Sequence, residues 1–489
     1  MIEAFCEGID RFARAHIHAR RIDAAHRIDP SVLAGLGELG VFGASIPEEY
    51  GGSDLGLPDI CTLVTTLAKH DRSVATTVGL HLGLGTRGLV AYGSPALKER
   101  WLPDIATGRR LAAFATTEAE AGSDLSAIRT RAVPVDPADV SGEGGGPLQV
   151  DGEKIFVTNG GIAGVYTITA STPGLGGAKR GHSLLLIDRD DNGVTPGPEE
   201  EKLGLRGSST TTVHFDGTRI PMDRVIGVPG EGMTQLGHVL AWGRTVMAAG
   251  CVGSAGAALD AAVEHVGTRR QFGRTLDSFD VVRDQIADIS AVRFVMAALV
   301  RSAASGDRLL GQSIAAKVFC SEGSWEITDT ALQLFGGTGY VEETGIALIL
   351  RDARVTRIFE GANDVLRVHL GMLEVAPATS RAALSDLSPL GRAADSFHDT
   401  VVGVRTDLTT RFGVRLGREQ RLLHRLGQLA LLRDACDAAV VQAAADATPR
   451  STELASRWLS LSHSRSLALL PEPHRPTQMI DRTPGGIHA

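Results

Sequence analysis

This chain of 489 residues lacks any CxxC pair. Its five cysteines, Cys6, Cys61, Cys251, Cys320 and Cys436, lie far apart, which suits a reducing compartment and excludes a zinc ribbon or a disulfide framework. A basic surplus is missing too. The net charge of −8 argues against a general nucleic-acid binder, which would need a basic face. Aromatic residues are scarce at 4%, against 43% hydrophobic residues in all, so the interior is aliphatic and small-residue rich. Neither end offers an uninterrupted apolar run. MIEAFCEGIDRFARAHIHAR carries acids early, unlike a secretory signal, and LGQLALLRDACDAAVVQAAA is broken by Arg433, Asp434 and Asp437, too charged to span a bilayer. The expectation from these absences is a cytoplasmic protein.

The length allows roughly three domains. Over 1–112, apolar residues recur at three- and four-residue spacing in EAFCEGIDRFARAHI and PSVLAGLGELGVFG, predicting amphipathic helices. Over 113–225, short β-branched segments alternate with turn signals, and Asp151-Gly152 predicts a hairpin. DPADVSGEGGGP (136–147) reads as a surface loop inside this β domain. Long helical periods return over 226–378, where Ala and Gly permit close helix packing in a bundle. After a linker-like stretch, 379–489 holds further helical sequence and a tail bearing Pro and Gly. The predicted fold class is α+β, mainly α: an N-terminal helical domain, a central β domain, a C-terminal four-helix bundle and an extra C-terminal helical domain.

Several motifs carry chemistry-bearing residues. GLGTRG (83–88) fits GxGxxG, but it lies in a helical region without the preceding strand of a dinucleotide fold, so packing glycines are the better reading. FATTEAEAGSD (114–124) is a turn of small residues whose backbone N–H groups suit an anion, although an ordinary loop would look the same. FVTNGG (156–161) is a second threonine-bearing turn. RRQFGR (269–274) sets arginine beside an aromatic, either for phosphate or as a helix cap. LFGGTGY (334–340) is a glycine turn between helices, suited to close ligand approach. In RIFEGANDV (357–365), a lone carboxylate, Glu360, stands among apolar neighbours, either solvated at a helix end or held dry for a purpose.

In their order, FATTEAEAGSD, FVTNGG, RRQFG, QLFGGTGY and RDARVTRIFEGAND resemble the acyl-CoA dehydrogenase family, and GVFGASIPEEYGG fits the same pattern. The resemblance runs along essentially the whole chain, and the region after residue 380 is most similar to the very-long-chain branch. It implies that an FAD-bound enzyme removes hydrogen from Cα and Cβ of an acyl thioester, giving the trans-2-enoyl thioester, with hydride taken by flavin N5. Glu360 is then the catalytic base in a dry setting that raises its pKa. Phe114, Thr117, Phe156 and Thr158 correspond to residues around the flavin, and Ser123 to a contact shared by pyrophosphate and substrate. Arg269, Gln271, Gln333, Gly336 and Gly337 correspond to residues that reach the FAD of a neighbouring subunit, which implies a homodimer. Asn363 is placed with the cofactor residues, and Arg244 and Gly361 with the substrate. No metal is implied.

Four departures stand out: Ala119-Glu120 replaces the family's Pro-Gly, Ala362 its threonine, Asp280 a glutamine and Ala241 an aspartate. The implied partners are an acyl-CoA or acyl-carrier-protein substrate and an electron-transfer flavoprotein that takes the electrons. Rival readings are a dehydrogenase for carrier-tethered acyl groups and a non-catalytic scaffold or assembly protein on the same fold. For the basic stretch VRTDLTTRFGVRLGREQRLLHR (404–425), a solvated or domain-covering face is favoured over peripheral membrane contact.

Overall fold

The computed structural model describes residues 2–136, 146–177, 181–306, 309–376 and 381–470. Most of the predicted loop at 136–147, part of the linker and the tail beyond 470 lie outside the described residues. The first part is helical: α1 (Ile2–His16), α2 (Ala19–Ala25), α3 (Pro30–Glu38), α4 (Leu57–Ala68), α5 (Arg72–Leu80), α6 (Thr86–Tyr92) and α7 (Pro95–Ala106). Local chemistry sets their starts. Asp29, Asp71 and Ser94 each accept a first-turn N–H, and Pro30 and Pro95 open their helices, where the missing N–H costs nothing. GLGTRG lies in a π-helical turn running into α6, with Gly85 against Ala112 and Gly88 against Thr167 and Leu184. Its glycines are packing glycines.

The β domain comprises β1 (Ala112–Ala115), β2 (Arg131–Pro134), β3 (Leu148–Thr158), β4 (Val165–Ser171), β5 (His182–Asp188), β6 (Val194–Glu199), β7 (Thr210–Ile220) and β8 (Val225–Ile226). They form one sheet in the order β6-β7-β3-β2-β4-β5-β8, with β1 added parallel to β4. The expected Asp151-Gly152 hairpin is not formed. Both residues lie inside the single strand β3, at a register shift against β7. Gly152 is there with φ 144°, where a Cβ would come within 2.7 Å of Thr130, and Asp151 accepts from Gly217 N. The glycine serves a bulge rather than a turn.

Then come α8 (Gly232–Thr268), β9 (Arg270–Gln271), β10 (Arg274–Thr275), α9 (Asp280–Ser305), α10 (Leu309–Phe335), α11 (Gly337–Tyr340) and α12 (Ile346–Val355). Helix α8 is long and apolar enough to cross a membrane, yet most of it is buried in the core. Small residues allow this. Thr65 donates to Ala249 O at 3.0 Å, and a Cβ at Gly253 would stand 2.3 Å from Thr65 O. RRQFGR caps α8 and then turns: Arg269 is the C-cap residue, its N–H donating to His265 O at 2.8 Å, and β9 and β10 pair around Phe272 (φ 51°) and Gly273 (φ 81°). Positive φ at both central residues fits a tight hairpin.

The chain divides into two compact units, Met1–Leu366 and Arg367–Ala489. This division stands twelve residues before the expected boundary at 378/379. The break falls inside α13 (Asn363–Val375), because the helix from Arg367 on packs with α15 (Gln420–Asp446). A Cβ at Gly427 would be 1.9 Å from Arg367 O, and one at Gly371 would be 2.0 Å from Leu423 O. Glu374 binds Arg433 through two bonds of 2.8 Å. The second unit also holds α14 (Gly391–Phe412) and α16 (Pro449–Leu467), around Val401, Leu408, Leu423 and Leu426.

Candidate active site

After α12 the chain makes a tight loop. Ile358 and Phe359 donate to Val355 O, and Asn363 N returns to Arg357 O at 3.1 Å. At its tip Glu360 has φ 55° and Gly361 φ 101°. A left-handed glutamate persists only where its surroundings hold it, and here two buried cations do. Arg244 Nε donates to Glu360 O at 3.0 Å, while Lys317 Nζ donates to Gly361 O and Asn363 Oδ1, both at 2.7 Å. With these carbonyls tied, the Glu360 N–H pairs with no acceptor among the described residues.

The residue keeps some exposure, but Glu360 Oε2 is shielded and has no hydrogen-bond partner among the described residues. Burial pushes the carboxyl up to about 7, against the opposing pull of Arg244, Lys317 and Arg72. Gly243 leaves the space in front of it: a Cβ there would drive into Leu84 and stand 3.4 Å from Glu360 Oε2. Of the two alternatives for this carboxylate, solvated or held dry, the structure has the shielded one.

A second cluster is built at the ends of β1 and β3. Ile155 N donates to Thr117 O at 2.9 Å, which sets Thr117 alongside Phe156 and Thr158. Glu118 clamps the turn by accepting from Arg129 N (2.6 Å), Thr130 N (2.9 Å) and the buried Lys154 Nζ (2.7 Å). Phe156 has φ 54° and is 62% exposed, so this large ring stands open to a planar partner. Asn159 Nδ2 bonds Thr77 O and Ala112 O, tying the turn to α5 and β1. Ser123 is exposed beyond the Glu118–Ala121 bridge. These residues fit an isoalloxazine ring: hydroxyls beside an exposed aromatic face on a rigid sheet edge.

A third group stands apart. Arg269 and Gln271 follow α8, and Gln333, Gly336 and Gly337 surround the end of α10; stacking of His265 on Phe335 at 4.1 Å joins the two ends. All five are exposed. At 1.5 Å per residue Arg269 lies about 38 Å along α8 from Arg244, and Gln333, Gly336 and Gly337 lie about 24–30 Å along α10 from Lys317, the two residues that hold the Glu360 loop. They do not belong to that cluster. Two further residues sit elsewhere than in open space. Phe114 is 7% exposed within the core, and Asn363 uses its amide on Lys317, Ser321 and Glu322. Both support the site from behind. Of the departures, Ala119, Glu120 and Asp280 are exposed, Asp280 paired with Arg283.

Lys317, Glu118, Lys154 and Asn159 escaped the sequence reading. Lys317 had a signal, a single charge inside the apolar run QSIAAKVFC.

Known protein families match most of this chain. The N-terminal, middle and C-terminal domain families of acyl-CoA dehydrogenases match residues 2–109, 113–218 and 230–372. The chain is 38% identical to the probable acyl-CoA dehydrogenase FadE25 of Mycobacterium tuberculosis, over 72% of this chain and 89% of that protein. It is 35% identical to the mitochondrial very-long-chain specific acyl-CoA dehydrogenase of Mus musculus, over 72% of this chain but 54% of the relative, so it spans about half that length. In fold it resembles an acyl-CoA dehydrogenase complexed with FAD from Bacillus anthracis, with TM-score 0.84 and 23% identity, covering 96% of this chain and 87% of that one.

Proposed function

The chain belongs to the acyl-CoA dehydrogenase family, FAD-dependent oxidoreductases acting on CH–CH bonds, and on that premise we propose that it dehydrogenates an acyl thioester to the trans-2-enoyl thioester. The observation that carries this reading is Glu360: a shielded, unpartnered carboxylate on a left-handed residue whose carbonyl is tied back by Arg244. An α-hydrogen beside a thioester is a weak acid, so its removal needs a base of raised pKa and a donor for the charge growing on the carbonyl oxygen. Glu360 Oε2 is the base. Its unpaired N–H is the protein's donor to the thioester oxygen, and Gly361 lets substrate approach the backbone.

Thr117 and Thr158 would hold the flavin edge and Phe156 would pack on the ring. Ser123 would contact the pyrophosphate and the substrate, which Arg244 also flanks. When bound, the flavin supplies the acceptor for the β-hydrogen as hydride. Arg269, Gln271, Gln333, Gly336 and Gly337, remote from the Glu360 loop, would serve the site of a second copy, in a homodimer. We further infer a cytoplasmic protein, a CoA thioester rather than a carrier-tethered one, and an electron-transfer flavoprotein as acceptor. An anaerobic titration with acyl-CoAs, followed by loss of flavin absorbance, tests the function. A protein that binds FAD but is bleached by no acyl thioester would overturn it.

A further inference from the structure

Lys154, in the middle of β3, has none of its side chain exposed. Burial lowers its ammonium to about 8, against the pull of Glu118, so it keeps its charge at neutral pH. It donates to two acceptors, Glu118 Oε1 at 2.7 Å and Thr116 O at 3.2 Å. These belong to the residues on either side of Thr117. A buried ion pair adds little net stability over apolar side chains of the same size. What it does add is direction, and here one ammonium ties the chain just before and just after a single threonine.

The surroundings of Thr117 are held in the same way. Glu118 exchanges backbone bonds with Ala121 at 3.2 and 3.1 Å, and its carboxylate anchors that turn to Arg129 N and Thr130 N as well as to Lys154. Ile155 N, next to Lys154, donates to Thr117 O at 2.9 Å. The hydroxyls nearby divide into two kinds. Thr116 Oγ1 bonds Thr169 Oγ1, and Thr130 Oγ1 donates to Glu153 O at 3.3 Å. The hydroxyls of Thr117 and Thr158, both half-buried residues, bond no described residue. Thr117 is therefore fixed through both neighbours and its own carbonyl, and its hydroxyl alone is left for a ligand.

Resting on the flavin contacts proposed above, we propose that Lys154 is a positioning residue of the flavin site: through Thr116 O and the Glu118 carboxylate it fixes the Thr117 hydroxyl for the edge of the ring. A donor already held in place loses no freedom when the ring arrives, so its bond contributes in full to affinity. Without the ammonium, Thr116 O loses this donor, Glu118 keeps only its two backbone donors, and the turn is free to move.

The test titrates FAD into the apoprotein, followed by quenching of flavin fluorescence, for the wild type, Thr117→Val, Lys154→Met and the double variant. Lys154→Met raises Kd by about 10- to 100-fold and Thr117→Val by about 10-fold. The double variant binds no more weakly than Lys154→Met alone, because a hydroxyl that is no longer held has nothing further to lose. With FAD saturating, Lys154→Met reproduces the shift of the visible flavin band seen in Thr117→Val, which a lysine serving stability alone would not do. Three results each overturn the proposal: wild-type affinity in folded Lys154→Met, a double variant whose loss is the product of the single losses, or a wild-type band in FAD-saturated Lys154→Met. If Lys154→Met does not fold, Glu118→Gln, which keeps the size and removes the charge, takes its place in the same cycle and the same three results decide. None of these measurements uses an acyl thioester. A protein that binds FAD in this way but is bleached by no ester overturns the dehydrogenase reading and leaves this proposal standing.

Discussion

As the proposed base, Glu360 would act as an ionised carboxylate, which gives the activity a sign in pH. Burial holds its carboxyl up near 7, so the base form grows as pH rises through that value, and kcat should climb along a single limb centred near pH 7. Glu360→Gln keeps the shape and removes the basicity. It should retain bound FAD while turnover falls by about 100- to 10,000-fold. Undiminished bleaching of the variant would remove Glu360 from the mechanism. The residue was recognisable in RIFEGANDV as a carboxylate among apolar neighbours. Its left-handed backbone was not, because that conformation comes from Arg244 and Lys317, which lie 116 and 43 positions earlier in sequence.

At the scale of elements, α8, α10 and α12 act together on one loop. Lys317 is the contribution of α10, and replacing it by Met leaves Gly361 O without this donor and Asn363 Oδ1 with only the 3.4 Å bond from Ser321 Oγ. The expected loss is about 2–4 kcal/mol of stability, readable by denaturant unfolding. The same substitution removes a positive charge that lowers the Glu360 pKa, so the activity limb should move to higher pH. A merely structural lysine would not move it.

Helix α12 carries a second titrating group. Burial raises the Asp352 carboxyl from 3.8 to about 7, so the native state holds a proton that the unfolded chain has released. That stability is complete below about pH 4 and is lost as pH rises to about 7. Asp352→Asn should therefore show a shallower decline of unfolding free energy across this window than the wild type. Identical slopes would show that Asp352 keeps an ordinary pKa. Sequence periodicity identified these helices well, since an amphipathic stripe is a local property. It mistook Asp151-Gly152 for a hairpin, because a bulge and a turn both call for glycine and only the pairing partner, β7, separates them.

For the whole molecule, the separation of Arg269 and Gln271 from the Glu360 loop leads to a complementation test. If one chain supplies the base and another the arginine, a mixed dimer of Glu360→Gln with Arg269→Ala contains one intact site. Co-expression of the two variants should restore activity well above the sum of either alone, at up to about half the wild-type level per dimer. If the mixture stays inactive although mixed dimers form, each site is built from a single chain. The second unit, Arg367–Ala489, carries its own buried cluster, and its start inside α13 shows that a helix can be continuous in sequence while its contacts change allegiance.

What the sequence determined unaided was whatever is local or strictly ordered. It set the helical periods, the succession of helical, β and helical regions, the motif series that marks the family, and the carboxylate proposed as the base. Tertiary structure alone decided which groups are deprived of water and partners. The raised carboxyl of Glu360 and the clamp of Arg244 and Lys317 on its loop both depend on segments distant in the chain. Desolvation and Coulomb interaction act through space, and linear order does not record them.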